Sequence, residues 1–165
     1  MLDGGFAAWR TAGLPLEAGS PSEHRAEVSV TIDRGEIVWF DELEHRLADG
    51  SVVLLDARAA PRYRGEVEPI DPKAGHVPGA LNRPFADNLD ADGRFKSPER
   101  LREEFAALLG THSATDVAHM CGSGVTACHN LLAMEHADLS GSRVFAPSWS
   151  GWISDPARPI AIDDR

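Results

Sequence analysis

The sequence has few cysteines, few basic residues and no long apolar runs, and each shortage excludes a class of protein. Its 165 residues contain only two cysteines, Cys121 and Cys128, so a disulfide framework is excluded by number alone. No stretch approaches the roughly 18 apolar residues of a membrane span, and no basic-then-apolar leader opens the chain. Lys plus Arg number 16 against 26 Asp plus Glu, and the formal charge of -10 repels phosphate backbones. We therefore expect neither nucleic-acid binding nor a membrane partner.

The remaining composition is that of an ordinary globular protein. Apolar residues make up 42% and charged residues 25% of the chain, which is enough apolar material for a core and excludes a wholly disordered chain. The length suits one domain with a little left over. Two cysteines without a framework favour a reducing compartment, so we expect a cytoplasmic protein.

Strand and helix signals alternate along the chain. Apolar runs predict strands at 52–55, 117–120 and 143–145, and the first two have no polar alternation, as in a parallel sheet buried on both faces. A capping box of Asp41 with Glu44 and a Ser97-Pro98 start predict two of the helices. The full set of predicted helices is 4–13, 41–50, 97–110, 127–137 and 149–153. The alternation predicts an α/β fold with a mainly parallel sheet, and residues 59–95 are expected to be mostly irregular.

The first residues echo a later segment. Residues 2–9 align with residues 145–152 at an offset of 143, with apolar or aromatic residues coinciding at three positions. Such an echo indicates that residues 1–15 close an earlier copy of the same domain. Between this element and the main domain, residues 19–34 read as a linker that ends in an edge strand, because Glu27 to Ile32 alternate polar and apolar side chains.

The segment around Cys121 carries the chemistry. A predicted buried strand runs into Cys121-Gly122-Ser123-Gly124-Val125-Thr126, and a helix follows. Glycines allow the amides of such a loop to converge on one point, and the helix N-terminus adds positive potential there. A cysteine in that position is expected to be ionised near neutral pH and to act as a nucleophile. Cys128, seven residues further on, is interpreted as a core residue.

Several cysteine chemistries share this architecture. A tyrosine phosphatase requires an Arg at position 127, where this chain has Ala127. A cysteine hydrolase requires a histidine and an orienting acid, and spacing does not select among four histidines, His76, His119, His129 and His136. A zinc site built from His119, Cys121, Cys128 and His129 lacks a Cys-x-x-Cys knuckle, so no metal or other cofactor is expected.

The same residues resemble a known family. The loop from Cys121 to Ala127 resembles the active-site loop of 3-mercaptopyruvate sulfurtransferases in the rhodanese superfamily. Thiosulfate sulfurtransferases of that superfamily carry basic residues where this chain has Gly122 and Ser123. Three further motifs agree with the resemblance, which covers residues 35–160: Leu55-Asp56-Ala57-Arg58, Gly75-His76-Val77-Pro78-Gly79-Ala80 and Ser148-Trp149.

The resemblance implies a fold and a domain organisation. It implies a rhodanese-like sheet of about five strands flanked by helices on both faces. Residues 35–160 are then the catalytic domain, and residues 1–18 resemble the end of a missing upstream rhodanese-like domain. In that case the chain is the C-terminal part of a two-domain enzyme, and it is expected to be weakly active alone.

The resemblance also implies sulfur transfer. The Cys121 thiolate would take sulfur from a small anionic donor, with 3-mercaptopyruvate favoured and thiosulfate as the alternative. The resulting persulfide would pass its sulfur to cyanide or to a thiol, such as that of a thioredoxin-like protein. Arg62 would bind the donor, the amides of Gly122, Gly124, Val125 and Thr126 would stabilise the persulfide, and Ser123 would relay a proton. Arg58 and His76 are expected to be structural. A non-catalytic interaction module on the same fold is the remaining alternative.

Overall fold

The computed structural model describes residues 2–20, 27–31 and 34–162, and a parallel sheet forms its centre. Five strands lie in the order β1-β5-β4-β2-β3, and every neighbouring pair is parallel. Their bounds are Ile37–Val38 (β1), Val53–Asp56 (β2), Leu81–Asn82 (β3), Val117–Met120 (β4) and Arg143–Phe145 (β5). All residues of β2 and β4 are buried, which confirms that their unbroken apolar runs belong to the middle of a parallel sheet.

Helices cover both faces of this sheet, as the sequence predicts. Their bounds are Gly5–Thr11 (α1), Phe40–Ala48 (α2), Ala60–Tyr63 (α3), Pro98–Leu109 (α4), Val125–His136 (α5) and Ser148–Trp152 (α6). Three short 3-10 segments lie at Arg34–Glu36, Phe85–Asn88 and Ala114–Asp116. One core contains side chains of α2, α3 and α6, and the other contains side chains of α4 and α5. None of the described helices is long and apolar enough to cross a membrane.

The strand order opens a space beside β4. The chain leaves β2 towards β3 on one side, whereas it leaves β4 towards β5 on the other. At such a divergence the two connections separate at the carboxyl ends of the strands and leave a crevice there. The segments that follow Asp56 and Met120 therefore face each other across this gap.

Of the two helix starts predicted from the sequence, one is confirmed and the other is wrong. The Ser97 hydroxyl accepts the Arg100 N–H at 3.3 Å at the start of α4, as expected of a helix cap. The capping box at Asp41 is wrong, because α2 begins at Phe40 with Trp39 as its cap residue and without a side-chain cap. Residues 59–95 contain β3 and α3, which are too short for a periodic sequence pattern.

The edge strand expected within 19–34 does not form in the part that the structure describes. Residues 27–31 have no regular structure, and Val28 and Val30 are 76% and 74% exposed. Ile32 lies outside the described residues. The edge of the sheet is instead β1, which pairs with β5 through Ile37 and Val38. Alternation predicts a strand only where one face is buried, and here neither apolar side chain has a core to face.

The N-terminal echo has a structural counterpart. Helix α1 and helix α6 begin at Gly5 and Ser148, which are 143 residues apart. The indole N–H of Trp9 donates to the Pro15 carbonyl at 2.9 Å, and that of Trp152 donates to the Pro159 carbonyl at the same distance. Helix α6 buries two tryptophans, whereas α1 buries no residue.

A histidine lies inside the sheet. His119 of β4 is fully buried, and neither ring nitrogen has a hydrogen-bond partner in the part of the chain that the structure describes. Its strand neighbours are Leu55 and Val144. Burial disfavours the charged ring and lowers the pKa of His119 to about 3. The ring is therefore neutral, and an active-site role as a charged group is excluded.

His119 should make the protein sensitive to acid. In the unfolded chain its pKa returns to about 6.5, so below that pH the unfolded state takes up a proton that the folded state does not. The free energy of unfolding should therefore fall as the pH drops from about 6.5 towards 3, at up to about 1.4 kcal/mol per pH unit. In urea unfolding at several pH values, His119→Leu should lose part of this slope. His45→Gln, which removes a histidine whose side chain is 82% exposed, should keep it, and equal slopes in all three proteins would contradict the assignment.

Candidate active site

Cys121 lies directly after β4, at the carboxyl end of the central strand. Its sulfur accepts the backbone N–H of Gly124 at 3.1 Å, and α5 begins at the next residue. Gly124 has φ 89°, and a Cβ there would stand 2.9 Å from the Ala146 carbonyl oxygen. Only glycine combines this left-handed conformation with so close an approach. The sequence therefore aims an amide and a helix N-terminus at the sulfur, as the predicted anion nest requires.

The start of α6 fixes this loop from the other side. The Cys121 N–H donates to the Ser148 hydroxyl at 3.2 Å, and the Cys121 carbonyl accepts the Trp149 N–H at 2.9 Å. Ser148 has φ 52°, which is uncommon for a residue with a side chain, and its hydroxyl donates to the Phe145 carbonyl at 3.1 Å. The Gly122 carbonyl accepts the Ser150 N–H at 2.9 Å. Sequence reasoning assigned no role to Ser148 or Ser150, although the Ser148-Trp149 motif pointed to the right segment.

The crevice between β2 and β4 forms a cavity of about 330 Å³ next to the cysteine. Residues after β2 line one side and the cysteine loop lines the other, while Ile70, Asp71, Phe85 and Ser150 complete the wall. Cys121 is only 2% exposed, and it is among the lining residues. A larger cavity of about 460 Å³ lies beside α2 and Trp152, away from the cysteine. The cavity beside Cys121 combines a thiol with hydrogen-bond donors, and we identify it as the candidate active site.

The predicted loop residues meet at this cavity in different ways. Gly122, Ser123, Val125 and Thr126 all line it. Of the loop amides, the N–H of Gly124 contacts the sulfur itself. Ser123 is exposed, and its hydroxyl makes no hydrogen bond to a described residue. It is free to meet a bound molecule, whereas the Val125 side chain is 74% exposed at the mouth.

Arg62 reaches the same cavity from α3, and two carboxylates hold it. Its Nε and Nη2 donate to Glu68, and Nη2 also donates to Asp71 Oδ2 at 3.1 Å. Burial alone would raise the pKa of Glu68, but hydrogen bonds from Arg62 and from the Asp71 and Ile70 amides outweigh burial and lower it. Arg62 Nη1 makes no hydrogen bond to a described residue and lies 3.6 Å from the point where Gly122 would carry a Cβ. One edge of the guanidinium is thus available beside the cysteine loop.

Arg58 and His76 act as structural residues, as expected. Arg58 is buried and donates to the Asp56 carboxylate, with a shortest distance of 2.6 Å, and to the Gly75 carbonyl at 2.7 Å. His76 stacks on Tyr63, with ring centroids 3.8 Å apart, and its Nδ1 lies 2.7 Å from the Tyr63 carbonyl oxygen. These contacts tie the end of β2 to the loop that precedes β3. Lys73, which lies in the same loop before β3, is not among the residues that line the cavity.

The core role predicted for Cys128 is wrong. Cys128 is a free, exposed cysteine whose thiol donates to the Gly124 carbonyl at 3.4 Å. The buried face of α5 is formed instead by Ala127, Asn130, Ala133 and Met134. The apolar residues near Cys128 in sequence predict a core face, but one of them, Val125, is exposed at the mouth of the cavity. The first turn of α5 borders the candidate site and does not face the core.

The histidine and zinc alternatives do not fit this geometry. The Cys121 sulfur accepts a hydrogen bond from Gly124, and no described histidine bonds to it. His129 lies 3.3 Å from the Asn88 amide and packs on Phe95, and burial lowers its pKa. Within the described ranges, no three His, Cys, Asp or Glu residues are grouped so that they could hold a metal ion.

Together, the fold and site define an α/β protein with a cysteine held between the end of a central strand and a helix N-terminus. The chain belongs to the family of the rhodanese-like domain, whose model matches residues 40–155. This confirms the resemblance and the fold that it implied.

Relatives and solved structures agree with this assignment. A probable 3-mercaptopyruvate sulfurtransferase of Pseudomonas aeruginosa is 49% identical over 99% of this chain and 58% of its own length. A putative thiosulfate sulfurtransferase of Mycobacterium tuberculosis is 39% identical over 97% of this chain and 56% of its own length. The chain thus spans little more than half the length of these relatives. An anaerobic ergothioneine biosynthesis enzyme of Chlorobium limicola shares the fold, with a TM-score of 0.84 and 21% identity over 99% of this chain and 41% of that one.

The structural role of Arg58 can be tested by its effect on stability. Arg58→Met should lower the free energy of unfolding by about 3–5 kcal/mol, because the fully buried Asp56 carboxylate loses its cation. Arg94→Met removes an arginine whose side chain is 58% exposed, and it should change stability by less than about 0.5 kcal/mol. Urea unfolding measures both variants. An Arg58→Met protein of normal stability would mean that the buried pair does not hold this end of the sheet.

Proposed function

We propose that this chain transfers sulfur from a small anionic donor to a thiol or cyanide through a persulfide on Cys121. The observation that carries the proposal is the hydrogen bond from the Gly124 amide to the Cys121 sulfur, at 3.1 Å, beside a cavity. An amide and a helix N-terminus favour negative charge on that sulfur and on the outer sulfur that it would acquire. The similarity to relatives with sulfurtransferase names supports the same activity.

The favoured donor is 3-mercaptopyruvate. The Cys121 thiolate attacks the donor's sulfur, the carbon–sulfur bond breaks, and the electron pair of that bond leaves with the carbon as the enolate of pyruvate. The enolate then takes a proton. The exposed hydroxyl of Ser123, which lines the cavity, would relay that proton. The acceptor then attacks the outer sulfur and restores the thiolate, and with cyanide the product is thiocyanate.

Arg62 would bind the carboxylate of this donor. Its Nη1 lies 3.6 Å from the point where Gly122, the residue after Cys121, would carry a Cβ. A keto acid places its carboxylate two carbons from the sulfur-bearing carbon, so a cation beside the loop and not on the sulfur suits it. Thiosulfate carries its charge next to the transferred sulfur, where this loop has Gly122 and Ser123. Faster turnover of thiosulfate than of 3-mercaptopyruvate would overturn the donor assignment.

Residues 1–18 remain assigned, as a prediction, to the end of an upstream rhodanese-like domain. The paired tryptophan–proline hydrogen bonds of α1 and α6 support it. So does the match to the Pseudomonas aeruginosa relative, which covers 99% of this chain. That domain and a thioredoxin-like thiol protein are the proposed partners, and a cytoplasmic location stays a prediction from the cysteine content.

The nucleophile can be tested by comparing the two cysteines. Cys121→Ser should lower sulfur transfer from 3-mercaptopyruvate to cyanide by roughly 10³-fold or more, because the covalent route is lost. Cys128→Ser should retain activity, since its thiol points to the Gly124 carbonyl. Donor alone should add one sulfur atom to the wild-type and Cys128→Ser proteins, detectable by intact mass and removed by a reductant. Absence of that sulfur on wild-type protein, with Cys121 unreactive to iodoacetamide, would favour the non-catalytic module.

The role of Arg62 can be tested by a substitution that keeps its charge. Arg62→Lys should raise KM for 3-mercaptopyruvate by about tenfold and change kcat less, because an ammonium cannot reproduce the forked contact of a guanidinium with a carboxylate. Arg64→Lys alters the neighbouring arginine, which pairs with Glu66 outside the lining of the cavity, and should leave KM unchanged. Equal KM values in all three proteins would place the donor's carboxylate elsewhere.

A further inference from the structure

An acidic side chain shares the anion-binding corner of the cavity with Arg62. Asp71 Oδ2 lies 3.1 Å from Arg62 Nη2 and 3.9 Å from the point where Gly122 would carry a Cβ. The two guanidinium nitrogens Nη1 and Nη2 lie 3.6 and 3.7 Å from that same point. A donor carboxylate that reaches Arg62 beside Gly122 therefore meets the Asp71 carboxylate as well.

Asp71 is held in this position from a second side. The Ser150 hydroxyl lies 2.7 Å from Asp71 Oδ1 and 2.8 Å from the Gly122 carbonyl oxygen, and its single proton serves one acceptor at a time. The Ser150 N–H already donates to the Gly122 carbonyl at 2.9 Å, so the hydroxyl proton is available for Asp71. The Asp71 side chain is only 8% exposed, and its own amide donates to Glu68 at 3.1 Å.

Asp71 is not needed to hold Arg62 in place. Glu68 already accepts three hydrogen bonds from Arg62 Nε and Nη2, at 2.7 to 3.2 Å. Asp71 contributes one further contact, and its charge is redundant for neutralising a single guanidinium. Glu68 also contacts Arg58, which is paired with Asp56, so the two arginines and three carboxylates leave this corner with a formal charge of -1, although the proposed donor is an anion. A purely structural role does not account for that surplus.

We propose that Asp71 is a specificity-determining residue whose carboxylate selects against donors with two negative charges. The inference rests on the proposed sulfur transfer. A monoanion such as 3-mercaptopyruvate meets one repulsion and gains Arg62 Nη1. A dianion such as thiosulfate meets about twice the repulsion at the same distance. The negative charge of Asp71, next to the positive charge of Arg62, thus determines which donor is preferred.

Asp71→Asn tests this directly, because an amide keeps the shape: its carbonyl oxygen can accept from Arg62, and its NH2 group can donate to the Ser150 hydroxyl, whose proton then goes to the Gly122 carbonyl. Even with the screening of bulk water, removing one charge about 4 Å away is expected to change affinity about fivefold per unit of donor charge. The kcat/KM for 3-mercaptopyruvate should therefore rise about fivefold and that for thiosulfate about 25-fold. Asp71→Ala should also raise the ratio of kcat/KM for thiosulfate to kcat/KM for 3-mercaptopyruvate. Circular dichroism and thermal unfolding check that both variants fold.

Glu66→Gln is the matched control. It removes one negative charge from the same loop, but Glu66 pairs with Arg64 and does not line the cavity. In Glu66→Gln the ratio of kcat/KM for thiosulfate to kcat/KM for 3-mercaptopyruvate should equal that of the wild type. The same shift in Glu66→Gln and Asp71→Asn, or no shift in either Asp71 variant, would overturn the role of Asp71 while leaving sulfur transfer intact.

A binding measurement separates this proposal from the proposed function. Sulfate and pyruvate, as dianion and monoanion probes, should slow the alkylation of Cys121 by iodoacetamide when they occupy the cavity. Asp71→Asn should strengthen protection by sulfate about fivefold more than protection by pyruvate. If wild-type protein transfers sulfur from neither donor yet this shift appears, the proposed function fails, but Asp71 still selects against dianions. If the shift is absent, the proposed role of Asp71 is wrong, whether or not the protein transfers sulfur.

Discussion

The candidate site depends on one backbone turn, at Gly124. Its φ of 89° directs the amide to the Cys121 sulfur, and α5 starts one residue later. The Ala146 carbonyl oxygen would lie 2.9 Å from a Cβ at this position, so a side chain is excluded by contact as well as by conformation. Sulfur, amide and helix N-terminus are therefore brought together by a residue that has no side chain of its own.

The sheet topology explains why this turn borders a cavity. Because β2 continues to β3 and β4 continues to β5, the loops after these two central strands diverge. The buried pair of Arg58 and Asp56 keeps the β2 side of that gap in shape, with Trp149 of α6 packed 4.6 Å from the guanidinium. Hydrogen bonds from Trp149 and Ser150 to the cysteine loop close the other side. The cavity is a consequence of strand order, and the buried Arg58–Asp56 pair and the backbone hydrogen bonds between α6 and the cysteine loop hold its two sides.

How far the sequence predicts this arrangement depends on the range of the interactions. The strands predicted at 52–55 and 117–120 form at 53–56 and 117–120, and the cap at Ser97 is confirmed, because these features follow from residues close together in the chain. The cysteine loop lies between β4 and α5, where the sequence places it. The contact of Asp71 with Ser150 joins residues 79 apart, and no spacing in the sequence announces it. Cys128 fails for a different reason, because the face that a helix buries is decided by what packs on it, and α5 leaves its first turn open to the cavity.

The local charge balance also explains how an acidic protein can accept an anion. The chain carries a formal charge of -10, and among the described cavity residues Arg58 and Arg62 are the cationic side chains. Arg58 contacts Asp56, the Gly75 carbonyl and Glu68, and Arg62 contacts Glu68 and Asp71. Attraction for an anion must then come from directed donors, the Arg62 Nη1 edge and the loop amides, and not from net charge. Directed donors act over the length of a hydrogen bond, so a site built in this way selects an anion by its shape and by where its charge sits.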